Sequence, residues 1–323
     1  EPQEPGLRLL GLRFAGLGQR NTDTINYLGS RKVAENPERI YLSTAKASSA
    51  APGFFGGILG SLATAYDRRW LVKYLVQSEI ASKHRHSYLG LLWAFLGPLM
   101  MVNLFTAIFS EVLGIKFRQV TGDSALNFGL FLYCGLLPFL AFSQALNQGV
   151  NVIRKNRDLV TQVVFPLELL PLTQVISSLL QNALGIGALL LVFVVLMQYV
   201  HLTVFLLPLI MLPQLLFTLG VSYLMAVCGT YVPDIREGLR AFVRGLFFIT
   251  PIIWPAGKVP ADYQFLVTYN PLAYLVEAYR QLILEGRFPF GEQAIYFCLV
   301  AVTLFVLGLA LFNRVKHNFG DKL

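Results

Sequence analysis

Residues 204–230 read VFLLPLIMLPQLLFTLGVSYLMAVCGT, a run without one acidic or basic side chain. At about 1.5 Å per residue, a helix of that length crosses a hydrocarbon core of about 30 Å. Working outward from it, five more predominantly apolar stretches occupy about 88–113, 127–152, 171–199, 240–256 and 293–313. Charged residues make up 14% of the chain, against about 25% in an average soluble protein. That composition excludes a cytosolic globular enzyme and predicts a polytopic helical membrane protein. The net charge of +8 invites a nucleic-acid reading, yet the basic residues lie between apolar stretches, where they report topology and contact with anionic headgroups. No nucleic-acid partner is expected. Cys134, Cys228 and Cys298 each sit inside an apolar stretch, which suits small core residues rather than a disulfide framework or a metal cluster. His84 and His86 are two residues apart and so point to different helical faces, which predicts no metal site.

Orientation follows from Lys and Arg in the connections. If residues 64–88 face the cytosol, that side carries Arg68, Arg69, Lys73, Lys83, Arg85, Arg154, Lys155, Arg157, Arg236, Arg240, Arg244, Arg314, Lys316 and Lys322, fourteen in all. The other side carries five: Lys116, Arg118, Lys258, Arg280 and Arg287. This asymmetry puts both termini in the cytosol and requires an even number of crossings. The stretch 257–292 then decides between six and seven. Phe265 to Leu284 is apolar but contains Asn270, Pro271, Glu277 and Arg280, and a seventh crossing would carry Arg314, Lys316 and Lys322 outside. The expectation is an all-α integral membrane protein with six transmembrane helices and a re-entrant helical hairpin, 258–286, before the last span. Irregular backbone at that depth is tolerated where it is buried in protein or lines a cavity. Pro251 and Pro255 break the short fifth stretch and give the region the look of a gate, although they could equally end a short helix near the outer surface.

Ahead of the spans, residues 1–63 are expected to be a cytosolic extension, polar and partly disordered to about residue 52, with no basic-then-apolar leader at Glu1. GFFGGILGSLA, 53–63, is too short and glycine-rich to span and suggests a loop or turn at the interface. Residues 64–87 read as an amphipathic interface helix. Thr64 with Asp67 resembles a capping box, Tyr66, Trp70, Leu71, Tyr74, Leu75 and Ala81 share one face, and Arg68, Arg69, Lys73, Lys83 and Arg85 occupy the other. Such a helix lies in the membrane plane with its basic face at the headgroups. Residues 314–323 form a cytosolic tail.

Three landmarks then resemble a family. LVKYLVQSEIASKHRHSYLGLLWAFLGPLMM (71–101) runs a basic amphipathic helix into Tyr88-Leu89-Gly90, Leu92-Trp93 and Gly97-Pro98. NVIRKNRDLVTQVVFPLELLPL (151–172) carries Phe165-Pro166 and opens the next span with Pro171. NPLAYLVEAYRQLILEG (270–286) places Asn270-Pro271-Leu272, Glu277 and Arg280 before the last span. In order and spacing these resemble the membrane subunits of ABC-2 type exporters, within them the permeases that move lipid-linked polysaccharides such as O antigen and teichoic acid. The similarity covers about 66–313. Tyr231-Val232-Pro233-Asp234 departs from it, since many relatives carry Arg-Asp there. The resemblance implies a permease of the bacterial inner membrane that pairs with itself and with two copies of a separate ATPase subunit. The sequence agrees on that separation: no G-x-x-x-x-G-K-[ST] occurs and the only Gly-Lys is Gly257-Lys258, so ATP and its Mg belong on the partner chain.

Polar residues inside spans point to a transport path. Gln144, Asn147, Gln148 and Asn151 recur at helical spacing in the second span, as do Gln174, Ser177, Ser178, Gln181, Asn182 and Gly185 in the third. Either stripe can line a conduit or join helices by hydrogen bonds; Thr218, Ser222, Met225 and Gly229 in the fourth suit packing. Sugars rest their C–H faces on aromatic rings, which nominates Trp93, Phe95, Phe105, Phe109, Phe139, Phe142, Phe247, Phe248 and Trp254 as candidates, though aromatics also anchor spans and fill cores. The connection 154–170 must receive force from the ATPase. Asn156, Arg157 and Asp158 followed by Val160, Val163, Val164 and Phe165, with Glu168 at the end, read as a short amphipathic helix for docking. Pro251, Trp254, Asn270, Pro271, Glu277 and Arg280 make up the candidate outer gate, the last pair being one turn apart and able to ion-pair. Two other functions fit less well: an ABC-2 permease for a small hydrophobic drug or lipid, and a membrane-embedded polyprenyl glycosyltransferase. The latter needs clustered carboxylates for a metal and diphosphate, whereas Asp158, Asp234 and Glu237 are scattered.

Overall fold

The computed structural model describes residues 54–84, 92–108, 125–161, 165–198 and 200–322. Among them every regular element is helical: α1 (Phe54–Asp67), α2 (Arg69–His84), α3 (Trp93–Thr106), α4 (Ala125–Gly149), α5 (Val152–Lys155), α6 (Arg157–Thr161), α7 (Leu169–Met197), α8 (Leu207–Tyr231), α9 (Ile235–Ile249), α10 (Phe265–Thr268), α11 (Pro271–Arg280) and α12 (Glu292–Val315). Four are long and apolar enough to cross a bilayer, over Phe128–Gly149, Leu169–Leu191, Leu202–Tyr231 and Glu292–Asn318. The quoted run is the third of these, and Pro208 in its first turn costs no intrahelical bond.

Side-chain pairings fix the direction of each long helix. Going up α4, Pro138, Phe142 and Gly149 meet Gln214, Phe217 and Ser222 of α8 in the same order, so α4 and α8 are parallel. Along α8, Phe217, Gly220 and Tyr223 meet Phe297, Leu304 and Phe312 of α12, which makes α12 parallel to both. Helix α7 runs the other way, for the Glu168 carbonyl before it accepts from the Tyr223 hydroxyl at 2.9 Å while Asn182 lies level with Gln214 through Tyr279. One end of the bundle therefore gathers the C-termini of α4, α8 and α12 with the start of α7. Arg154, Lys155, Arg314 and Lys316 lie there, and it is called the basic end below. At the crossing of α8 on α12 the two backbones touch. A Cβ on Gly220 would stand 2.5 Å from the Leu304 carbonyl carbon, and one on Gly308 would run into the Gly220 oxygen, so only glycine lets these two backbones touch.

Several sequence expectations change. FFGGILGSLA, 54–63, lies in helix α1, not in a turn: Ile58 is buried, and Asn313 of α12 donates to the Gly57 carbonyl at 3.1 Å and to Ser61 Oγ at 2.9 Å. Contacts with α12 offset the low helix propensity of its glycines. Thr64 is no cap, because its hydroxyl donates to the Gly60 carbonyl inside that helix, and the chain breaks at Arg68 before α2 begins. Among the described side chains of α2 the buried one is Val76, while Trp70 on α2 and Tyr66 at the end of α1 remain exposed. The fifth stretch forms a helix over Ile235–Ile249 rather than 240–256. It is only about 22 Å long and strongly two-faced. Leu239, Val243 and Phe247 are buried at four-residue spacing, Phe247 edge-on to Phe139 of α4 at 5.5 Å. Of the first stretch, α3 is described, while residues 85–91 and 109–124, and with them Arg85, Phe109, Lys116 and Arg118, lie outside the described residues.

Candidate functional site

Helix α9 runs antiparallel to α4 and opens a cleft against it near the basic end. Its Phe247 lies level with Phe139, and its first turns face the last turns of α4. The cleft encloses about 330 Å³ and is lined by Ser143, Asn147, Val150 and Asn151 of the α4 side and by Arg236, Arg240, Val243 and Arg244 of α9. Arg240 pairs with Glu237 at 2.8 Å. Asn147 and Asn151 donate their amides back to the Ser143 and Asn147 carbonyls at 2.8 and 3.2 Å. Of the second-span stripe, Asn147 and Asn151 line this cleft; Gln144 and Gln148 do not.

The third-span stripe is interior packing. Gln174, Ser177, Ser178 and Asn182 are all buried, and the half-buried Gln181 amide donates to the Ser177 carbonyl at 3.0 Å. Asn182 Nδ2 reaches the Tyr279 hydroxyl at 3.3 Å, that hydroxyl donates to Gln214 Oε1 at 2.6 Å, and Gln214 Nε2 donates to the Pro138 carbonyl at 3.3 Å. This chain of polar groups sews α7, α11, α8 and α4 together in the bundle interior, where each unmet partner is costly. Gln214 and Tyr279 were not singled out in the sequence, and no local pattern pairs residues so far apart. Phe142 is likewise core, stacked on Phe217 at 5.2 Å. Trp93 and Phe248 are exposed, and the side chains of Phe95 and Phe105 lie outside the described residues.

At the opposite end Arg280 is the most constrained group. It is 1% exposed, and its Nη1 and Nη2 donate to the Pro251 and Ile252 carbonyls, each at 2.6 Å, while Nε donates to the Phe131 carbonyl at 3.3 Å. The guanidinium lies 3.5 Å from the Phe131 ring centre, and Glu277 is a more distant partner at 3.8 Å. Space for it comes from Gly135, where a Cβ would stand 2.6 Å from Nη2. Arg280 thus pins the turn after α9 to α4 and α11. Asn270 caps α11, accepting from the Leu272 amide at 3.0 Å and donating to Thr250 Oγ1 at 3.3 Å, and Pro271 follows at the first helical position. Trp254 Nε1 donates to the Phe248 carbonyl at 3.2 Å. The six gate candidates therefore fall on one continuous piece of structure.

In the connection 152–168, the described residues form α5 and α6 and, from 165, the approach to α7. Asn156 is half-buried, and Arg157 and Asp158 project into solvent. Val160 and Phe165 pack against the chain's own core, and Val163 lies outside the described residues. Glu168 is no docking residue, for it is 6% exposed and paired with Lys316 at 3.1 Å. At the start of α2, Arg69 lies over the ring of Tyr66 of α1 at 5.1 Å, and Lys73 is exposed. Arg68 is half-buried at the break, and the Lys83 side chain is outside the described residues. Glu79 binds Lys155 at 3.2 Å, which joins α2 to α5.

Residues 71–284 match the family described as ABC-2 type transporter. Over 260 residues the chain is 29% identical to the O-antigen export system permease protein RfbA of Myxococcus xanthus, covering 80% of this chain and 97% of that protein. It is 26% identical to an RfbA of Klebsiella pneumoniae, over 78% and 95%. To the polysialic acid transport protein KpsM of Escherichia coli it is 28% identical, over 75% and 92%.

Proposed function

Because this chain belongs to the ABC-2 type transporter family, we propose that it is the permease subunit of an exporter that moves a lipid-linked polysaccharide or its precursor out of the cytosol. It is a multi-pass protein of the bacterial inner membrane. The observation that carries the substrate class is coverage: relatives named for O-antigen export and for polysialic acid transport both align over more than nine-tenths of their own length. Power comes from ATP hydrolysis, with Mg, on a separate subunit. The assembly is two copies of this chain with two of the ATPase, and the basic end faces the cytosol.

The directions of α4, α7, α8, α9 and α12 support the re-entrant hairpin in a six-span reading. Helices α8 and α12 are parallel, so the chain between them must make a net single crossing. Helix α9 with the turn after it makes that crossing, and 258–286 enters and leaves on the outer side. A second full crossing there would leave α8 and α12 antiparallel. Single cysteines replacing Lys258 and Arg287, in a background lacking Cys134, Cys228 and Cys298, should both react with an impermeant thiol reagent from outside. Reaction at position 287 from the cytosol alone would mean seven crossings.

The test of the function is to copurify this chain with its ATPase, reconstitute both, and measure hydrolysis with lipid-linked glycans and with small hydrophobic drugs. Stimulation by a glycan lipid is expected, and stimulation by drugs alone would refute the assignment. Reversing the exposed charges, Arg157→Glu with Asp158→Lys, should cut recovery of the ATPase several-fold without loss of membrane insertion, because α6 is the proposed contact. At the interface helix, Arg68→Glu, Arg69→Glu and Lys73→Glu together should lower export more than assembly, since each basic residue contributes about 1 kcal/mol at an anionic surface. Normal export in that variant would reduce the helix to an anchor.

A further inference from the structure

The cleft between α4 and α9 is a place where cations accumulate without enough counter-charge. Three arginines at four-residue spacing, Arg236, Arg240 and Arg244, turn toward it from one helix. The carboxylate of Glu237 is engaged by Arg240 and is itself largely exposed. Among the described residues no ion pair involves Arg236 or Arg244, and Arg236 Nε is buried with no hydrogen-bond partner. A guanidinium donor withdrawn from water and left unbonded is costly. An acceptor that fills the cleft removes that cost. Planar forks of this kind suit phosphate oxygens, which they bind in pairs. A volume of about 330 Å³ is at the small end of the roughly 300–1,000 Å³ typical of ligand pockets. That is room for a phosphate or diphosphate head, not for a folded oligosaccharide.

We infer that this cleft binds the phosphate group of an anionic lipid, with Arg236 and Arg244 as its principal donors and Arg240 shared with Glu237. The cleft lies near the basic end, and exposed Phe248 follows Arg244 one turn farther along the same side of α9, so a lipid tail can lie along the helix while its head meets the arginines. The inference deepens the exporter reading and rests on it for one point, that the anion is the diphosphate of a lipid-linked glycan rather than an ordinary membrane headgroup.

The test uses the full permease–ATPase complex in phosphatidylcholine nanodiscs, titrated with farnesyl diphosphate and with farnesol. Saturable binding of the diphosphate and none of the alcohol is expected. Arg236→Gln with Arg244→Gln should weaken binding at least tenfold, Arg236→Lys should retain part of it, and Arg287→Gln should leave it unchanged. Size-exclusion behaviour and ATPase recovery report whether each variant is assembled. Wild-type affinity in the assembled double variant, or no binding of any phosphate probe, would overturn the site. Phosphatidylglycerol competing on equal terms with farnesyl diphosphate would uphold the site and assign it to membrane headgroups, and competition by inorganic diphosphate alone would uphold it as a free-phosphate site. Arginine-dependent binding without any stimulation of hydrolysis by lipid-linked glycans would leave the site standing while the exporter reading falls.

Discussion

Arg280→Met is expected to abolish export and to lower stability by about 3–5 kcal/mol, the scale for removing one member of a buried charge network. Three backbone carbonyls, Pro251, Ile252 and Phe131, accept from this one guanidinium. Methionine fills a similar volume but donates nothing, and each carbonyl left without its donor costs about 1–3 kcal/mol. The turn after α9 contains two of those carbonyls, so it is the piece released first. Arg280→Lys should not rescue the protein. An ammonium is a compact point charge on a flexible stem and cannot reproduce the planar fork that spans two adjacent carbonyls. Gly135→Ala supplies an independent check, because its Cβ would displace the guanidinium, from 2.6 Å, without removing a single hydrogen-bonding group. Unfolding in mixed micelles and export in cells measure the two effects. Arg280→Lys with normal stability and export would show that charge alone suffices and that the pinned turn is incidental.

What the sequence revealed, and what it hid, follows from how locally each feature is encoded. The long spans are legible because a charge-free run such as 204–230 has one stable solution in a bilayer. Pro271 after Asn270 likewise announces a helix start whatever surrounds it. Helix α1 was hidden because its glycines argue against helix, and only contact with Asn313 and its neighbours at the far end of the chain supplies the compensation. The Gln214–Tyr279–Asn182 relay joins residues from three separate helices, and no spacing rule reaches across them. Arg236, Arg240 and Arg244 were visible in part. Their four-residue spacing, in register with Leu239, Val243 and Phe247, marks a helix with one basic and one apolar face. Reading them only as topology markers, within a span drawn from 240 to 256, concealed the cleft.

Gly220→Val is expected to be strongly damaging to the membrane bundle. In a bilayer, helices gain no hydrophobic advantage by exchanging lipid for one another, so association rests on close packing. At the α8–α12 crossing that packing is backbone on backbone: a Cβ at Gly220 meets the Leu304 carbonyl carbon and the Phe305 amide nitrogen, both at 2.5 Å, and neither can swing aside as a side-chain end would. The helices must separate, which loosens Phe217 from Phe297 and Tyr223 from Phe312 on either side of the crossing. Overpacking of a well-filled core costs about 1–3 kcal/mol, and a backbone collision lies at or above the top of that range. Gly220→Ala should show the same defect at smaller size, as should Gly308→Ala, whose methyl faces the Gly220 carbonyl. The two alanines should not add, because once the helices have parted for the first methyl the second finds room already made. Thermal unfolding of the two single variants and the double variant in detergent decides it. Fully additive losses would mean that the two glycines act at separate contacts, and a wild-type transition in Gly220→Val would mean that the crossing is not the joint on which the bundle depends.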